Sequence, residues 1–178
     1  MTQYNIFGEE EELEQEKSYS EKIQEAKDIL TLAKDISLKY YHEPLIIAYS
    51  GGKDSDVMLD IALSCLKNEE MEVRNSHTTV DAPQTVKHIE KVFSRLNGMG
   101  ISTKYKNRFP VEKTMWSLIE KNQMPPTRLM RYCCAELKES QTPNRIAAIG
   151  VRADESNNRR GEKGFQVGGG TPTGNNGH

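Results

Sequence analysis

Six consecutive residues, Ser50-Gly51-Gly52-Lys53-Asp54-Ser55, bring together two glycines, two hydroxyls, one cation and one carboxylate. Two glycines let the backbone turn sharply and bring amide groups close to a ligand. A helix that follows such a turn offers unpaired N–H groups and a positive dipole end, a setting that suits phosphate. Ser50 and Ser55 add hydroxyl donors and Lys53 adds a point charge. Asp54 is the odd member, because a carboxylate repels phosphate. Its place makes sense if it caps the helix or faces a Mg²⁺ ion. The spacing is not that of a Walker A loop, which needs four residues between its first Gly and its Gly-Lys-Ser/Thr end.

Further charges stand where a polyanion would be gripped. Arg128, Arg131, Lys138 and Arg152 fall on predicted loops or element ends. A guanidinium holds phosphate or sulfate through two parallel hydrogen bonds. Asp81, just after a predicted strand, could accept from a ribose hydroxyl or bind Mg²⁺. Each of these charges has a plain alternative as a solvated surface residue. Arg159-Arg160 reads equally as a phosphate patch or a solvated basic turn. The three cysteines, Cys65, Cys133 and Cys134, are an odd count with an adjacent pair, a poor disulfide framework. Reduced thiols are the expectation. Cys133 and Cys134 read as small, partly buried residues at a helix start, with a reactive thiol beside Arg131 as the alternative. His42, His77 and His88 are scattered and His178 ends the chain. That falls short of the four ligands of a structural zinc site.

These residues need a scaffold. Ile23, Ala26, Leu30, Ala33 and Ile36 recur at three- and four-residue spacing and predict a helix ending near Tyr41, with Ser20 as its N-cap. Pro44 closes that segment. Leu45 to Tyr49 is a nearly continuous apolar run, the mark of a strand buried on both faces. Gly51-Gly52 ends it, and helical periodicity resumes from Asp56 to Leu66. Glu72 to Thr78 predicts a second strand. Pro83 stands at a first helical turn whose buried face is Val86, Ile89, Val92, Phe93 and Leu96, with Asn97-Gly98 as the stop. Ser102 to Lys106 predicts a third strand and Thr114 to Lys121 a short helix. Pro125-Pro126 forces an extended loop. Tyr132 to Lys138 predicts another helix and Arg145 to Val151 a last buried strand. The glutamate-rich stretch 9–18 reads as a solvated helix.

Helices and strands that alternate in this way imply a three-layer α/β/α, Rossmann-like fold with a mainly parallel sheet. Crossovers should be right-handed, and ligands should bind at the carboxyl ends of the strands. The expected organisation is an acidic extension over residues 1–19, a nucleotide-binding domain over 20–160 and a Gly-rich flexible tail over 161–178.

With 178 residues the chain has the length of one domain with a sizeable core. Apolar residues make up 35% and charged residues 28%, and no apolar run reaches the ~18 residues of a membrane span. Met1 to Glu16 is acidic and lacks the basic start and apolar middle of a signal peptide, so a cytoplasmic protein is expected. A net charge of −2 argues against strong nonspecific binding of nucleic acid.

The loop Ser50-Gly-Gly-Lys-Asp-Ser55 resembles the pyrophosphate (PP) loop of the adenine nucleotide α-hydrolase enzymes. Three more segments resemble the phosphoadenylyl-sulfate (PAPS) reductase family within that superfamily. Thr78-Thr79-Val80-Asp81-Ala82-Pro83-Gln84-Thr85, after the second predicted strand, resembles its Asp-x-x-x-x-Pro-x-Thr segment, with a shorter spacing from Asp to Pro. Arg131-Tyr132-Cys133-Cys134-Ala135-Glu136-Leu137-Lys138 resembles its Cys-Cys-x-x-x-Lys segment. Gly150-Val151-Arg152-Ala153-Asp154-Glu155-Ser156 resembles its Gly-x-Arg-x-x-x-Ser segment. Together they cover roughly residues 45–160 in the family's order.

The resemblance implies ATP with Mg²⁺ as ligands, chemistry at the α-phosphate and pyrophosphate as the leaving group. On it, the nucleotide is held by Ser50, Gly51, Gly52, Lys53, Asp54, Ser55, Asp81 and Lys138, the metal by Asp54, and catalysis falls to Lys53, Arg131 and Arg152. The expected partners are an adenine nucleotide, an unidentified acceptor, and a partner subunit or second copy of the chain. Adenylyl-sulfate reductases join a Cys-Cys pair to a later C-x-x-C around an iron–sulfur cluster. This chain has no cysteine after Cys134, so no such cluster is expected. The C-terminal cysteine of thioredoxin-dependent reductases is missing too. The expectation is therefore adenylyl transfer in sulfur metabolism or sulfur modification, since ATP-using members keep the Lys-Asp of the loop. The alternatives are a PAPS reductase lacking its C-terminal redox part and a nucleotide-binding module without turnover.

Overall fold

Within the stretch 9–18, expected as a helix, Glu10–Glu11 is extended, and residues 9 and 12–17 lie outside the described residues. β1 (Gln3–Tyr4) and β2 (Glu10–Glu11) run antiparallel, with Tyr4 opposite Glu10. Like charges one turn apart destabilise a helix, whereas an extended chain sends successive side chains to opposite faces. The computed structural model describes residues 3–4, 10–11, 18–107, 113–127, 129–139 and 145–150.

Helix α1 (Tyr19–Ile36) is capped by Ser18, not by Ser20. Ser18 Oγ accepts the Glu21 N–H at 3.3 Å, and Glu21 Oε2 accepts the Ser18 N–H at 2.7 Å. This reciprocal box needs a Glu or Gln three residues after the cap, and Ser20 has Ile23 there. A π-helical turn, Ser37–Tyr41, extends the helix to His42, which takes the left-handed conformation at φ 54°. Then follow β3 (Leu45–Ala48), α2 (Lys53–Cys65) and β4 (Met71–Ser76). Next come α3 (Pro83–Gly98), β5 (Ser102–Lys106), α4 (Met115–Asn122), α5 (Tyr132–Cys134) with a π-helical turn over Ala135–Glu139, and β6 (Ala147–Ile149).

Asn97-Gly98 does not stop α3. Both residues are helical, Met99 is the C-cap, and Gly100 at φ +80° turns the chain. The Gly100 N–H bonds the Asn97 carbonyl and the Ile101 N–H bonds the Leu96 carbonyl, the two bonds of a Schellman stop.

The four long strands form one parallel sheet in the order β5-β4-β3-β6. Leu45, Ile47 and Tyr49 share one face with Met71 and Val73, and there they pack with Leu30 and Ala33 of α1, Met58, Leu59 and Ala62 of α2, and Ile89, Phe93 and Leu96 of α3. The path from β5 to β6 runs back across the sheet, so a right-handed crossover carries α4 and α5 over the opposite face. The result is the three-layer α/β/α arrangement. Among the described residues no helix is long and apolar enough to cross a membrane.

The opposite face carries an interior charge that hydropathy alone does not show. Glu72 is 2% exposed. It pairs with Arg74, lies 2.6 Å from Lys104 Nζ, and stands 3.4 Å from Arg145 Nη1, joining β4 to β5 and to the start of β6. Burial pushes its carboxyl up, but the hydrogen bonds from Lys104 and Arg74 and the charge of Arg145 outweigh this and hold it below the usual range.

Candidate functional site

Strand order decides where a ligand can enter. The chain lays β3, β4 and β5 successively in one direction, then returns to place β6 on the other side of β3. Such a reversal opens a crevice beyond the carboxyl ends of the two strands that flank it. The loop Ser50–Ser55 leaves β3 at that crevice, and Gly150 leaves β6 there.

The loop is held by its own hydroxyls. Ser55, 5% exposed, donates to the Gly52 carbonyl at 2.7 Å and accepts from the Gly52 N–H at 3.1 Å and from the Ser50 hydroxyl at 3.2 Å. The Asp56 N–H closes the first helical bond to the Gly52 carbonyl at 3.0 Å. Gly52, extended at φ −98° and ψ 163°, is therefore the N-cap of α2. Asp54 does not cap the helix, because it already lies inside the first turn and a cap must sit at the non-helical entry. Ser50, Gly52 and Lys53 face solvent, and Asp54 is half-buried.

Glycine is required at two places. Gly51 sits at φ +75°, and a β-carbon there would stand 2.9 Å from Ile89 Cγ1 and 3.3 Å from Thr85 Cγ2. The loop thus rests on the first turns of α3. A β-carbon on Gly150 would stand 2.7 Å from the Asp54 carbonyl oxygen, so the end of β6 lies against the first turn of α2. Helix α3 and the end of β6 therefore both pack against the segment Gly51–Ser55.

Asp81 organises the turn after β4. Its Oδ2 accepts the Thr78 N–H at 2.8 Å and lies 3.3 Å from His77 Nδ1. Thr79 in that turn has φ 68°, rare for a β-branched residue. Its Oγ1 accepts the Met115 N–H at 3.0 Å and joins the turn to α4. Strained residues of this kind cluster at ligand sites. Thr79 lies inside the segment Thr78–Thr85 that carries the family resemblance, but its positive φ has no local sequence signature.

Arg131 and Lys138 are exposed on the segment after α4. Arg131 Nη2 stands 3.8 Å from Cys134 Sγ, and Lys113 pairs with Glu136 beside them. Among the described residues no hydrogen bond joins Arg131 or Lys138 to Ser50–Ser55. Cys65, Cys133 and Cys134 are free thiols, each half-buried. Arg128, Arg152, Arg159, Arg160 and the stretch 161–178 lie outside the described residues.

One group beside the loop escaped the sequence reading. The Tyr49 hydroxyl lies 2.5 Å from Asp56 Oδ1 and 3.1 Å from His88 Nε2. Tyr49 follows β3, Asp56 lies in α2 and His88 in α3, so no local spacing could have brought His88 to the other two.

By structure the chain is similar to an NH3-dependent NAD synthetase from Campylobacter jejuni subsp. jejuni in complex with the nitrate ion, at 13% identity and TM-score 0.47, with 74% of this chain and 57% of that chain covered. It is similar as well to an NMN synthetase from Francisella tularensis, at 17% identity and TM-score 0.48, with 74% and 55% covered. The chain thus spans little more than half the length of each. No curated protein sequence matches it. Residues 44–173, well over half of the chain, match the family described as phosphoadenosine phosphosulfate reductase domain. With the glycine-turned loop at the switch point of a parallel sheet, this chain belongs to the phosphoadenosine phosphosulfate reductase domain family.

Proposed function

We propose that the chain binds ATP with Mg²⁺ at Ser50–Ser55 and transfers adenylate to an acceptor oxyanion, releasing pyrophosphate. The observation that supports this most is the loop itself. Exposed Lys53 and the hydroxyl of Ser50 stand at the start of α2, in the crevice between β3 and β6. The first N–H groups of a helix have no acceptor inside it, so they are donors for phosphate. Gly51 has no side chain to fill the space between the loop and α3.

The donor set fits a nucleotide and its metal. Among the described residues no cluster of three or more His, Cys, Asp or Glu occurs. Mg²⁺ is commonly held by one or two carboxylates together with substrate phosphates, and Asp54 would be its protein ligand here. When bound, the ion supplies charge neutralisation on the leaving pyrophosphate. Lys53 and the α2 amides stabilise the same developing charge, and Arg131 and Arg152 hold the α-phosphate or the acceptor. Catalysis of this kind is positioning plus charge stabilisation, and a sulfate-like acceptor, already ionised, needs no general base. Incubation with Mg-ATP and a panel of oxyanion acceptors tests the proposal. Pyrophosphate and an adenylylated product in stoichiometric amounts are expected. Binding without turnover under every condition would reduce the protein to a nucleotide-binding module.

A second reading is favoured by the family match. A reductase of this family would accept adenosine 3′-phosphate 5′-phosphosulfate in the same crevice, where two thiols of a redox partner would reduce it to sulfite and adenosine 3′,5′-bisphosphate and become a disulfide. The relative affinity for the two nucleotides separates the readings.

A further inference from the structure

Strand β6 is three residues long, stands at one end of the described sheet and pairs there with β3. Its register sets Ile46 opposite Ala147, Ile47 opposite Ala148 and Ala48 opposite Ile149. Apolar burial does little to hold that register. Ala147 and Ala148 are half-buried and Ile149 is 65% exposed. Register is strongly specified only where one face of a strand is buried.

The far end of the strand admits no slip. Gly150 lies against the first turn of α2, where a β-carbon would stand 2.7 Å from the Asp54 carbonyl oxygen and 3.4 Å from the Ser55 nitrogen. A shift of one residue would bring Ile149 or Val151 to that point, and a shift of two would bring Ala148 or Arg152. Each of these carries a β-carbon. The first turn of α2 could not then keep its place, nor could the loop that leads into it.

The group that fixes the register sits at the other end. Arg145 stands two residues before β6, and its side chain is 14% exposed. Nη2 donates to the carbonyl of Pro44, the residue before β3, at 2.7 Å and lies 3.6 Å from Glu43 Oε2. Nη1 donates to Glu72 Oε1 on β4 at 3.4 Å. One guanidinium therefore ties the start of β6 to β3 and β4 together. The main chain follows, with the Ile46 N–H bonded to the Ile146 carbonyl at 3.1 Å. The donors of a guanidinium form a rigid planar fork, so they meet these acceptors at one position along the strand. Five residues at about 3.3 Å each separate Arg145 from Gly150, so Arg145 acts on the loop from about 16 Å away, through the strand.

We propose that Arg145 is a positioning residue of the site: by locking β6 in register it keeps Gly150 against Asp54 and holds the first turn of α2 where phosphate is received. The proposal rests on Ser50–Ser55 as the nucleotide site.

Calorimetry with Mg-ATP tests it on wild type, Arg145→Gln, Arg145→Lys, Lys104→Ala, Gly150→Ala and the double variant Arg145→Gln/Gly150→Ala, with circular dichroism to show that each is folded. Arg145→Gln should weaken binding about fivefold. Arg145→Lys keeps the charge without the fork, so its loss should be smaller, and it carries the comparison if Arg145→Gln does not fold. Lys104→Ala removes a partner of the same Glu72 from β5, away from β6, and should bind as the wild type does. In the Gly150→Ala background, where the protected contact is already broken, Arg145→Gln should cost at most about twofold more. Solvent exchange of the Ile46 amide should quicken in Arg145→Gln and not in Lys104→Ala. A role in general stability alone would move neither the split between these two variants nor the coupling to Gly150. Wild-type affinity in the folded Arg145 variants, an equal loss in Lys104→Ala, or the full loss repeated in the Gly150→Ala background overturns the inference and leaves the nucleotide site standing. If the wild type binds no Mg-ATP, the site reading fails and this inference fails with it.

Discussion

Gly150 lies directly against Asp54: a β-carbon on Gly150 would stand 2.7 Å from the Asp54 carbonyl oxygen. The end of β6 thus touches the first turn of the helix that follows the loop. Neither backbone can give way without moving a strand or a helix. The contact explains why a glycine opens the last motif, one hundred residues along the chain from the first.

Gly150→Ala should displace the first turn of α2 and weaken nucleotide binding. Gly51→Ala should do so as well, and it adds the cost of a left-handed residue, about 1 kcal/mol or more. Thermal unfolding separates the two effects. Gly51→Ala should lower the melting temperature, and unchanged ATP affinity in both folded variants would show that the loop is not the binding site.

Lys53→Ala should weaken ATP binding by about 1–3 kcal/mol, the scale of a charge-assisted hydrogen bond. Lys53 is exposed, so the variant should keep wild-type stability. Calorimetry with Mg-ATP measures the change, and an unaltered affinity would remove Lys53 from the site.

Nucleotide selectivity divides the two functional readings. Lys53 and Asp54 offer a cation and a ligand for a metal, which suits a pyrophosphate with its Mg²⁺ better than a sulfate. Mg-ATP should bind more tightly than adenosine 3′-phosphate 5′-phosphosulfate, and Mg²⁺ should strengthen ATP binding. If the phosphosulfate binds tenfold more tightly, a difference of ~1.4 kcal/mol, the reductase reading prevails.

Glu72 links stability to pH. Its carboxyl is held below the ordinary Glu value of 4.5 by Lys104, Arg74 and Arg145 against the opposing effect of burial. A depressed folded value means stability that is present in full above pH 4.5 and lost as pH falls through the folded value. Glu72→Gln should destabilise the fold by about 3 kcal/mol, because Arg74 loses its counter-charge near the interior and Arg145 keeps only Glu43, at 3.6 Å. Its urea midpoint should vary less with acid pH than that of the wild type. Equal pH dependence in the two proteins would show that Glu72 is not the linked group.

What was legible in the chain was what local physics dictates. The apolar run of β3, the glycine turn and the periodic helices are each set by neighbouring residues, and alternation of elements then permits few folds. β5 runs over Ser102–Lys106 as predicted, and Pro83 opens α3. Caps and stops were read one or two residues off, since Ser18 and Ser20, or Gly98 and Gly100, differ only in the bonds their neighbours complete. The site itself divides the same way. The donors of Ser50–Ser55 could be read from composition and spacing, because one loop supplies them all. Strand order alone brought Gly150 to Asp54, Glu72 to Lys104 and Arg145, and His88 to Tyr49. Those contacts form only when a parallel sheet folds distant segments into register. Their energies depend on burial, which no stretch of chain possesses before it is packed.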